Sequence, residues 1–253
     1  MLRTQRLQEI QRRLGAESEV TVVLLSAELG VSEMTIRRDL QELDSSGLAR
    51  RVHGGAVLAA HPVRTPFPSR ARERGAEKNR IGCTTAELLG PDSSVILDVG
   101  TTVFYVARAL RERSGLFLAT NSVETAVELS GSDNRVLLLG GMVYPAEQER
   151  TLVGKPTVDL VRQLSVDTLV LGAGGITLER GLAYFSFEEV EVRNAMLEVA
   201  RDVVLVADGS KFGKELPISL GALPRVDVLV TDRPLSTPYR RHFKSMGIRV
   251  IVA

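Results

Sequence analysis

The chain has 253 residues, of which 44% are hydrophobic and 25% are charged, and its net charge is +1 at pH 7. This composition is typical of a globular protein with enough apolar residues for one large core or two smaller ones. No stretch approaches the roughly 20 consecutive apolar residues of a membrane helix, and the charged first residues lack the apolar segment of a secretory signal. We therefore expect a cytoplasmic protein without a membrane partner.

The cysteine and histidine content gives no sign of a disulfide or a metal site. Cys83 is the single cysteine, which excludes an internal disulfide, and the three scattered histidines do not have the spacing of zinc ligands. Cys83 lies in an apolar helical stretch and is expected to be buried. No metal and no cofactor are predicted.

The charge is unevenly distributed along the chain. Residues 1–80 contain 14 Lys and Arg against 10 Asp and Glu, whereas residues 81–253 contain 18 against 21. The excess of positive charge at the N-terminal end favours a polyanionic partner there.

Three short helical patterns occupy the first fifty residues. The first places Leu7, Ile10 and Leu14 on one face. The second begins near Thr21, a plausible N-cap, and ends at Gly30, where a left-handed C-cap is easiest.

The third helical pattern follows Ser32, whose hydroxyl can cap it, and is expected to end at Gly47. Ile36, Leu40 and Leu43 fall within about 40° of one another on a helical wheel and form its buried stripe. The short turn before this helix makes a helix-turn-helix, whose second helix enters the DNA major groove. Arginine suits guanine and phosphate, and small hydroxyls suit phosphate. The predicted DNA contacts on this helix are Ser32, Thr35, Arg37, Arg38 and Gln41.

The segment "GLARRVHGGA" after the third helix predicts a small β-wing. Val52 alternates with charged neighbours, and Gly54 with Gly55 permits a tight turn. Arg51 and His53 are then expected near the DNA backbone. A pair of arginines on a helix is often only a solvated face, and residues 1–56 balance at 8 basic against 8 acidic residues. The helix order, the turn, the outward arginines and the basic wing together favour DNA binding.

The chain is expected to have two domains and a linker. Residues 59–76, "AAHPVRTPFPSRARERGA", contain three prolines and four arginines without an apolar period, which is typical of a linker or an extended arm. We predict a winged helix-turn-helix domain over 1–57, a linker over 58–76 and a second domain over 77–253.

Short apolar runs alternate with helical patterns after residue 77. Seven such runs are "VILDVG", "LFLATN", "RVLLLGG", "DTLVLGAGG", "VVLVADGS", "DVLVTD" and "IRVIVA". Apolar strands separated by helices indicate βαβ units, so we predict an α/β, Rossmann-like domain with a mostly parallel sheet and helices on both faces.

Polar or glycine residues follow five of these strands, where open parallel sheets bind their ligands. Asp98 can accept hydrogen bonds from sugar hydroxyls, and Lys211 suits a phosphate or a hydroxyl. Thr101 and Thr102 open a helix and offer a cradle for an anion. One such strand end is often only a helix start, but five in one domain favour a ligand site. The sequence completes neither the dinucleotide-binding glycine pattern nor a P-loop.

The stretch "LSAELGVSEMTIRRDLQELDSSGLARRVHGGAV" closely resembles the N-terminal signature of the DeoR family of bacterial transcription regulators. The resemblance covers more than thirty residues and implies a winged helix-turn-helix that reads operator DNA. Asp39 belongs to the matching motif. Because it lies near the buried stripe, we expect it to make a structural ion pair or hydrogen bond.

Residues 77–253 resemble the C-terminal domain of the same family in "EKNRIG", "DVGTT", "TNS", "LGG", "GAGGI", "EEVEVRNAML" and "ADGSKFG". The resemblance implies a fold similar to ribose-5-phosphate isomerase and a site for phosphorylated sugars or related metabolites. Gly174 departs from the family pattern, which commonly has Asp there, and this removes one acceptor for a sugar hydroxyl. The effector site implied by the resemblance and by the strand ends consists of Asp98, Gly100, Thr101, Thr102, Thr120, Asn121, Gly140, Gly141, Gly174 and Lys211.

These features lead to a functional hypothesis and two alternatives. We expect a repressor whose operator affinity changes when a sugar phosphate binds, acting as a homo-oligomer, either a dimer or a tetramer. One alternative is a sugar-phosphate isomerase, for which Asp98, Asp208 and Glu189 are candidate bases. The other is a constitutive DNA binder whose C-terminal domain senses nothing. The first hypothesis predicts that the protein is not an enzyme.

Overall fold

The computed structural model describes residues 3–17, 19–45, 49–58, 66–144, 149–221 and 225–253. The chain forms two compact units, which comprise residues Met1–Pro66 and Phe67–Ala253. We refer to them as the N-terminal unit and the C-terminal unit.

The N-terminal unit combines three helices with a small antiparallel sheet. Thr21 caps the second helix, since its Oγ1 accepts a hydrogen bond from the Leu24 amide at 3.3 Å, and Gly30 ends it with φ 64°. Both helix boundaries agree with the prediction, while Gly47, the expected end of the third helix, lies outside the described residues. The sheet order is β1-β3-β2. The elements are α1 (Arg3–Glu17), β1 (Glu19–Thr21), α2 (Val22–Leu29), α3 (Glu33–Ser45), β2 (Ala49–Val52) and β3 (Gly55–Leu58).

The core of the N-terminal unit contains one buried ion pair among its apolar side chains. Ile10, Ile36 and Leu40 are at most 1% exposed, which confirms the predicted buried faces of α1 and α3. Beside them, Arg6 Nε donates to Asp39 Oδ2 at 2.5 Å, and Arg6 Nη2 donates to Asp39 Oδ1 at 3.2 Å. The expected structural role of Asp39 is therefore confirmed. This bidentate pair joins α1 to α3.

The C-terminal unit contains all seven predicted strands in one sheet. The sheet order is β15-β14-β12-β9-β4-β5-β6, and each pair of neighbours is parallel. The strands of this unit are β4 (Ser94–Leu97), β5 (Phe117–Thr120), β6 (Arg135–Leu138), β7 (Met142–Tyr144), β8 (Thr151–Val153), β9 (Val166–Gly172), β10 (Gly175–Thr177), β11 (Gly181–Tyr184), β12 (Ala200–Val206), β13 (Ile218–Gly221), β14 (Val228–Thr231) and β15 (Arg249–Val252).

Helices cover both faces of this sheet, as predicted. Alternate strand residues point to opposite faces, so Ile96 and Leu205 belong to one apolar cluster, whereas Leu97 and Val206 belong to another. Side chains of α8, α9 and α10 complete the first cluster, and side chains of α5, α6 and α7 complete the second. The helices of this unit are α4 (Phe67–Arg72), α5 (Gly75–Leu88), α6 (Thr101–Leu110), α7 (Val123–Leu129), α8 (Lys155–Val161), α9 (Phe187–Val199) and α10 (Thr237–Ser245).

Two further small sheets were not predicted. Strands β7 and β8 form an antiparallel pair, and β10, β11 and β13 form a three-stranded sheet. These strands have only three or four residues each. Each of them also adjoins another strand in the described part of the chain without a helix between, so none gives the βαβ pattern that predicted the large sheet.

The prediction of a linker over residues 58–76 is wrong for its second half. Residues 67–72 form α4 and residue 75 begins α5, both within the C-terminal unit. The reason is that Phe67 is buried and packs edge-on against Phe104, with ring centroids 5.3 Å apart. Residues 59–65 of the predicted linker lie outside the described residues.

Cys83 is exposed, which corrects the expectation that it is buried. It lies on α5, whose buried stripe consists of Lys78, Ile81 and Thr85. The neighbours of Cys83 on α5 therefore pack into the core, while Cys83 itself faces outward.

Candidate functional sites

The outward face of α3 carries the predicted DNA-binding side chains. Arg37 and Arg38 are exposed, as is Gln41, while Thr35 is half-buried. Arg37 donates to Glu33 at 2.9 Å one turn earlier, in a pair that is about half exposed on both sides. Such exposed pairs contribute little to stability, so the guanidinium can exchange Glu33 for another anion. Both arginines are accessible to DNA.

The hydroxyl groups of Ser32 and Thr35 lie at the N-terminal end of α3, where Ser32 caps the helix. The Ser32 Oγ accepts a hydrogen bond from the Thr35 amide at 3.3 Å and lies 3.0 Å from the Thr35 Oγ1. Ser32 is exposed, so its hydroxyl can still face a phosphate while it caps the helix.

Strands β2 and β3 form the predicted wing. Val52 pairs with Gly55, so the hairpin turn consists of His53 and Gly54, and Gly54 has φ 83°. Arg51 and His53 are exposed at its tip. The Arg51 amide donates to Asp44 Oδ1 at 3.1 Å, which fixes the wing to the end of α3. All seven predicted DNA contacts are therefore on the surface of the N-terminal unit.

The strand order of the large sheet identifies a crevice between β4 and β9. From β4 the chain adds β5 and β6 on one side and then β9, β12, β14 and β15 on the other. Ligands of open α/β sheets bind at the carboxyl ends of the strands where the order reverses. Asp98 follows β4 and Gly172 ends β9, so both lie at this switch point.

Asp98 is held by a buried network. Its side chain is 1% exposed, and its Oδ2 accepts hydrogen bonds from Arg193 Nε at 3.0 Å and the Gly172 amide at 3.1 Å. The Arg193 guanidinium also stacks on the Tyr184 ring, 3.9 Å from its centroid, and lies 3.7 Å from Glu189 Oε2. Burial raises the pKa of the Asp98 carboxyl above its ordinary value, although the Arg193 charge opposes this.

The end of β5 and the start of α6 lie beside Asp98. Thr101 and Thr102 form the first turn of α6 after Gly100, whose φ of 125° disfavours other residues. Thr120 ends β5, which is paired with β4, and the following Asn121 donates to the Leu152 carbonyl at 3.1 Å. The structure therefore brings these predicted residues to one edge of the sheet.

Three carboxylate or amide oxygens of residues that follow strands at this edge have no hydrogen-bond donor among the described residues. They are Asp98 Oδ1, Asn121 Oδ1 and Asp208 Oδ2, which follow β4, β5 and β12, and all three side chains are buried. Buried polar atoms are normally paired. Their position at the carboxyl ends of the strands fits acceptors for the hydroxyl groups of a ligand.

Gly140 and Gly141 pack against α8. The Thr157 hydroxyl donates to the Gly140 carbonyl at 2.7 Å. A Cβ atom on Gly141 would lie 2.0 Å from the Thr157 Oγ1 and 2.7 Å from the Val153 carbonyl oxygen. Close packing therefore requires glycine at 141, independently of any ligand.

Gly174 lies where the backbone leaves no room for a side chain. A Cβ atom at this position would lie 2.5 Å from Leu216 Cδ1 and 2.7 Å from the Ala183 carbonyl oxygen. The loop after β9 is therefore shaped for glycine, and the aspartate of the family pattern would need backbone movement here.

Two lysines and an aspartate form a charged cluster beyond the end of β12. Lys211 Nζ lies 4.0 Å from Asp208 Oδ2, and the Lys211 carbonyl accepts a hydrogen bond from the Ile176 amide at 2.8 Å, which anchors its loop. Burial alone would raise the pKa of Asp208, but the charges of Lys211 and Lys78, with hydrogen bonds from Ser210, lower it. Arg74 lies 3.6 Å from Asp208 and 3.6 Å from Asp232.

Sequence reasoning missed Lys78, Arg74 and Arg193 as members of this site. A signal for two of them was present. Lys78 shares a helical stripe with Ile81 on α5, and Arg193 is one residue from Val192 on the buried stripe of α9. A charged residue on an apolar stripe indicates a buried partner.

The fold and these sites define a class of protein: a winged helix-turn-helix followed by a Rossmann-like domain with a polar carboxyl edge. Residues 6–61 match the family model of the DeoR-like helix-turn-helix domain, and residues 73–233 match that of the DeoR C terminal sensor domain. The chain belongs to the DeoR family and is a DNA-binding transcriptional regulator. The family and the two-part fold predicted from the sequence are confirmed.

Two relatives cover nearly the whole chain. It is 36% identical over 235 residues to the glycerol-3-phosphate regulon repressor of Escherichia coli K12, which is 92% of each chain. It is 33% identical over 252 residues to the transcriptional regulator GlpR of Haloferax volcanii, covering 99% of this chain and 98% of the relative.

The solved structures that align with this chain are less similar to it in sequence than these relatives are. Ribose 5-phosphate isomerase A from Methanocaldococcus jannaschii aligns with 55% of this chain and 54% of its own, at a TM-score of 0.40 and 16% identity. A likeness of this degree carries no argument about function.

Within the described ranges, no helix is long and apolar enough to cross a membrane. In the same ranges, no group of three His, Cys, Asp or Glu side chains is arranged to hold a metal ion.

Proposed function

We propose that this protein represses sugar-metabolism genes, that a phosphorylated sugar or related metabolite modulates its binding to operator DNA, and that it is not an enzyme. The observation that carries the proposal is the carboxyl edge of the large sheet. Three buried acceptors without donors among the described residues lie at the same edge as Lys78 and Lys211. Acceptors for hydroxyls beside cations for a phosphate suit a sugar phosphate.

The ligand contacts would be divided between the two ends of the site. Asp98 Oδ1 and Asn121 Oδ1 would accept hydrogen bonds from sugar hydroxyls, and the amides of Thr101 and Thr102 at the start of α6 would face an anion. Lys211 is half-buried and would pair with the phosphate. Gly100, Thr120, Gly140, Gly141 and Gly174 would shape the backbone around them.

The DNA contacts would come from α3 and the wing. Arg37 and Arg38 would contact base edges or phosphates in the major groove, and Arg51 and His53 would contact the backbone. One winged helix reads only a short half-site, so the operator would be bound by a homo-oligomer, a dimer or a tetramer. A protein with this partner acts in the cytoplasm.

The geometry of Asp98 disfavours the isomerase alternative. A general base must reach the C–H bond that it deprotonates. Asp98 Oδ2 accepts hydrogen bonds from Arg193 and from the Gly172 amide, so this oxygen is not available as a base. Glu189 is buried against Arg193. Two of the three candidate bases, Asp98 and Glu189, are therefore engaged in the packing of α9.

Replacing Arg37 or Arg38 with Ala should weaken operator binding by about 1–3 kcal/mol if each makes a bidentate base contact. Folding should be nearly unchanged, because both side chains are exposed. Fluorescence anisotropy with operator DNA measures the change. Arg12→Ala is the control, since Arg12 is an exposed arginine paired with Glu9 on α1. Wild-type affinity in both α3 variants would contradict the assignment of α3 as the recognition helix.

A ligand panel tests the sensor half of the proposal. Glycerol 3-phosphate and phosphorylated trioses, pentoses and hexoses would be added to the full chain while thermal unfolding is followed. A compound at about 100 times its Kd should add roughly 2.7 kcal/mol of stability. The same compound should then change operator affinity. A panel without any stabilising compound would favour a constitutive DNA binder.

A further inference from the structure

The last seventeen residues of the chain form a strongly basic segment within an otherwise acidic unit. Residues 237–253 contain four Lys and Arg and no Asp or Glu, whereas residues 81–236 contain 14 Lys and Arg against 21 Asp and Glu. This segment comprises α10 and the edge strand β15. The unit as a whole, residues 67–253, contains 23 Lys and Arg against 23 Asp and Glu, and this neutral balance hides a local positive patch.

The basic side chains share one surface. Phe243 of α10 is fully buried, and Tyr239 packs against the same apolar cluster. On a helical wheel, Arg240, Arg241 and Lys244 fall within about 100° of one another, beside the buried face rather than on it. All three are exposed. Arg240 and Lys244 also line a shallow depression of about 380 Å³ with Gly247, Ile248, Arg249 and Val250. We call Arg240, Arg241, Lys244 and Arg249 the α10 patch.

Within the described part of the chain, no side chain of the α10 patch forms an ion pair with a carboxylate. Three other exposed cations of the same unit do so: Arg162 with Glu198, Lys155 with Asp159 and Arg201 with Asp167. The helix dipole favours cations only in the last turn. It does not account for Arg240 and Arg241, which lie in the first half of α10. Four neighbouring like charges repel one another unless an anion lies among them.

We propose that the α10 patch is a second DNA-contacting surface, which binds the phosphate backbone of duplex DNA. The proposal rests on the DNA binding assigned above to the N-terminal unit. The patch is open and shallow and consists of cations on long side chains, which suits a continuous polyanion. A small phosphate ligand is normally enclosed by backbone N–H groups or by buried polar side chains. The α10 patch would add affinity that does not depend on base sequence.

The salt dependence of DNA binding tests this proposal. The full chain would be titrated onto a fluorescent mixed-sequence duplex of about 40 base pairs at several salt concentrations, since each phosphate contact contributes about 0.9 to the slope of log K against log salt. The combined variant Arg240→Gln, Arg241→Gln and Lys244→Gln should lower that slope by about 2–3 if each side chain contacts a phosphate. Its thermal midpoint should stay close to that of the wild type, because the three side chains are exposed.

A matched control separates a local contact from net charge. The variant Lys155→Gln, Arg162→Gln and Arg201→Gln loses the same charge at ion-paired positions and should keep the wild-type slope. A wild-type slope in the α10 variant, or an equal loss of slope in the control, overturns the proposal. Absence of DNA binding by the wild-type chain would overturn the proposed function itself, which is a different result.

Discussion

Replacing Arg193 with Met should lower the free energy of unfolding of the C-terminal unit by about 3–5 kcal/mol, the range found when one partner of a buried ion pair is removed. Arg193 and Asp98 are 3% and 1% exposed in their side chains, and they meet at 3.0 Å. The variant leaves the buried Asp98 carboxylate without its counter-charge. Methionine replaces the aliphatic part of the Arg193 side chain, so the loss of stability reflects the missing charge more than a change in packing. Urea unfolding of the full chain measures it.

The pH dependence of the stability loss in Arg193→Met separates the effect of the lost positive charge from the effect of altered packing. Burial raises the pKa of Asp98, with Arg193 opposing, so the variant should raise it further. A carboxyl with a folded pKa above its unfolded value stabilises the fold below the unfolded pKa, and that contribution is lost as pH rises through the folded pKa. The difference between variant and wild type should therefore be smallest near pH 4, close to the ordinary value for Asp, and should grow as pH rises above it.

The control is Arg162→Met, which removes an exposed arginine from its pair with Glu198 and should change stability by less than about 1 kcal/mol. Replacing both Asp98 and Arg193 with apolar residues should cost less than Arg193→Met alone. A loss below about 1 kcal/mol in Arg193→Met, or a loss independent of pH, would show that Asp98 is not held by this charge.

The sequence predicted the large sheet because its strands lie in apolar runs with helical patterns between them. Residues 166–172 and 200–206, for example, are mostly apolar in sequence and are buried through most of their length. Strands β10 and β13 could not be predicted in this way, because no described helix separates them from the neighbouring strands. Helix α4 was missed for another reason: Phe67 lies among prolines and arginines, and only its contact with Phe104 shows that the segment packs.

The candidate effector site was predicted in part, through a rule about strand ends. Asp98, Thr120 and Asn121 were found because parallel strands bring their carboxyl ends to one edge. The order of the strands, which puts β4 beside β9, cannot be read from local sequence. Arg193 lies on α9, 95 residues after Asp98 in the sequence. The hydrogen bond between them could therefore not be predicted from the sequence. The sequence could indicate that Arg193 is buried but not what it contacts.

Lys78 is positioned to join ligand binding to α4, the first element after residue 66, where the N-terminal unit ends. Its ammonium donates to the Glu73 carbonyl at 2.6 Å and to the Arg70 carbonyl, at the C-terminal end of α4. Burial lowers its pKa to about 8, with Asp208 opposing and Lys211 assisting. A phosphate beside Lys211 would therefore compete with the Arg70 and Glu73 carbonyls for the Lys78 ammonium, which is only partly charged at pH 8.5.

Replacing Lys78 with Met should abolish both the effect of the ligand on operator affinity and the uptake of a proton when the ligand binds. A bound phosphate raises the pKa of Lys78, so binding near pH 8.5 should take up as much as about three quarters of a proton, since a group of pKa 8 is then mostly uncharged. Affinity should fall as pH rises through about 8. Titration calorimetry with the stabilising compound of the panel, in two buffers of different ionisation enthalpy, measures the uptake.

In Lys78→Met the uptake should disappear and the compound should no longer change operator affinity, although operator binding itself remains. Lys155→Met is the matched control, because Lys155 is an exposed lysine paired with Asp159 on α8 and should keep both responses. The coupling requires that the ligand bind the two DNA-binding states with different affinity. Uptake that persists in Lys78→Met would assign the proton to another group, and an intact operator response in that variant would exclude α4 as the element through which the sensor acts.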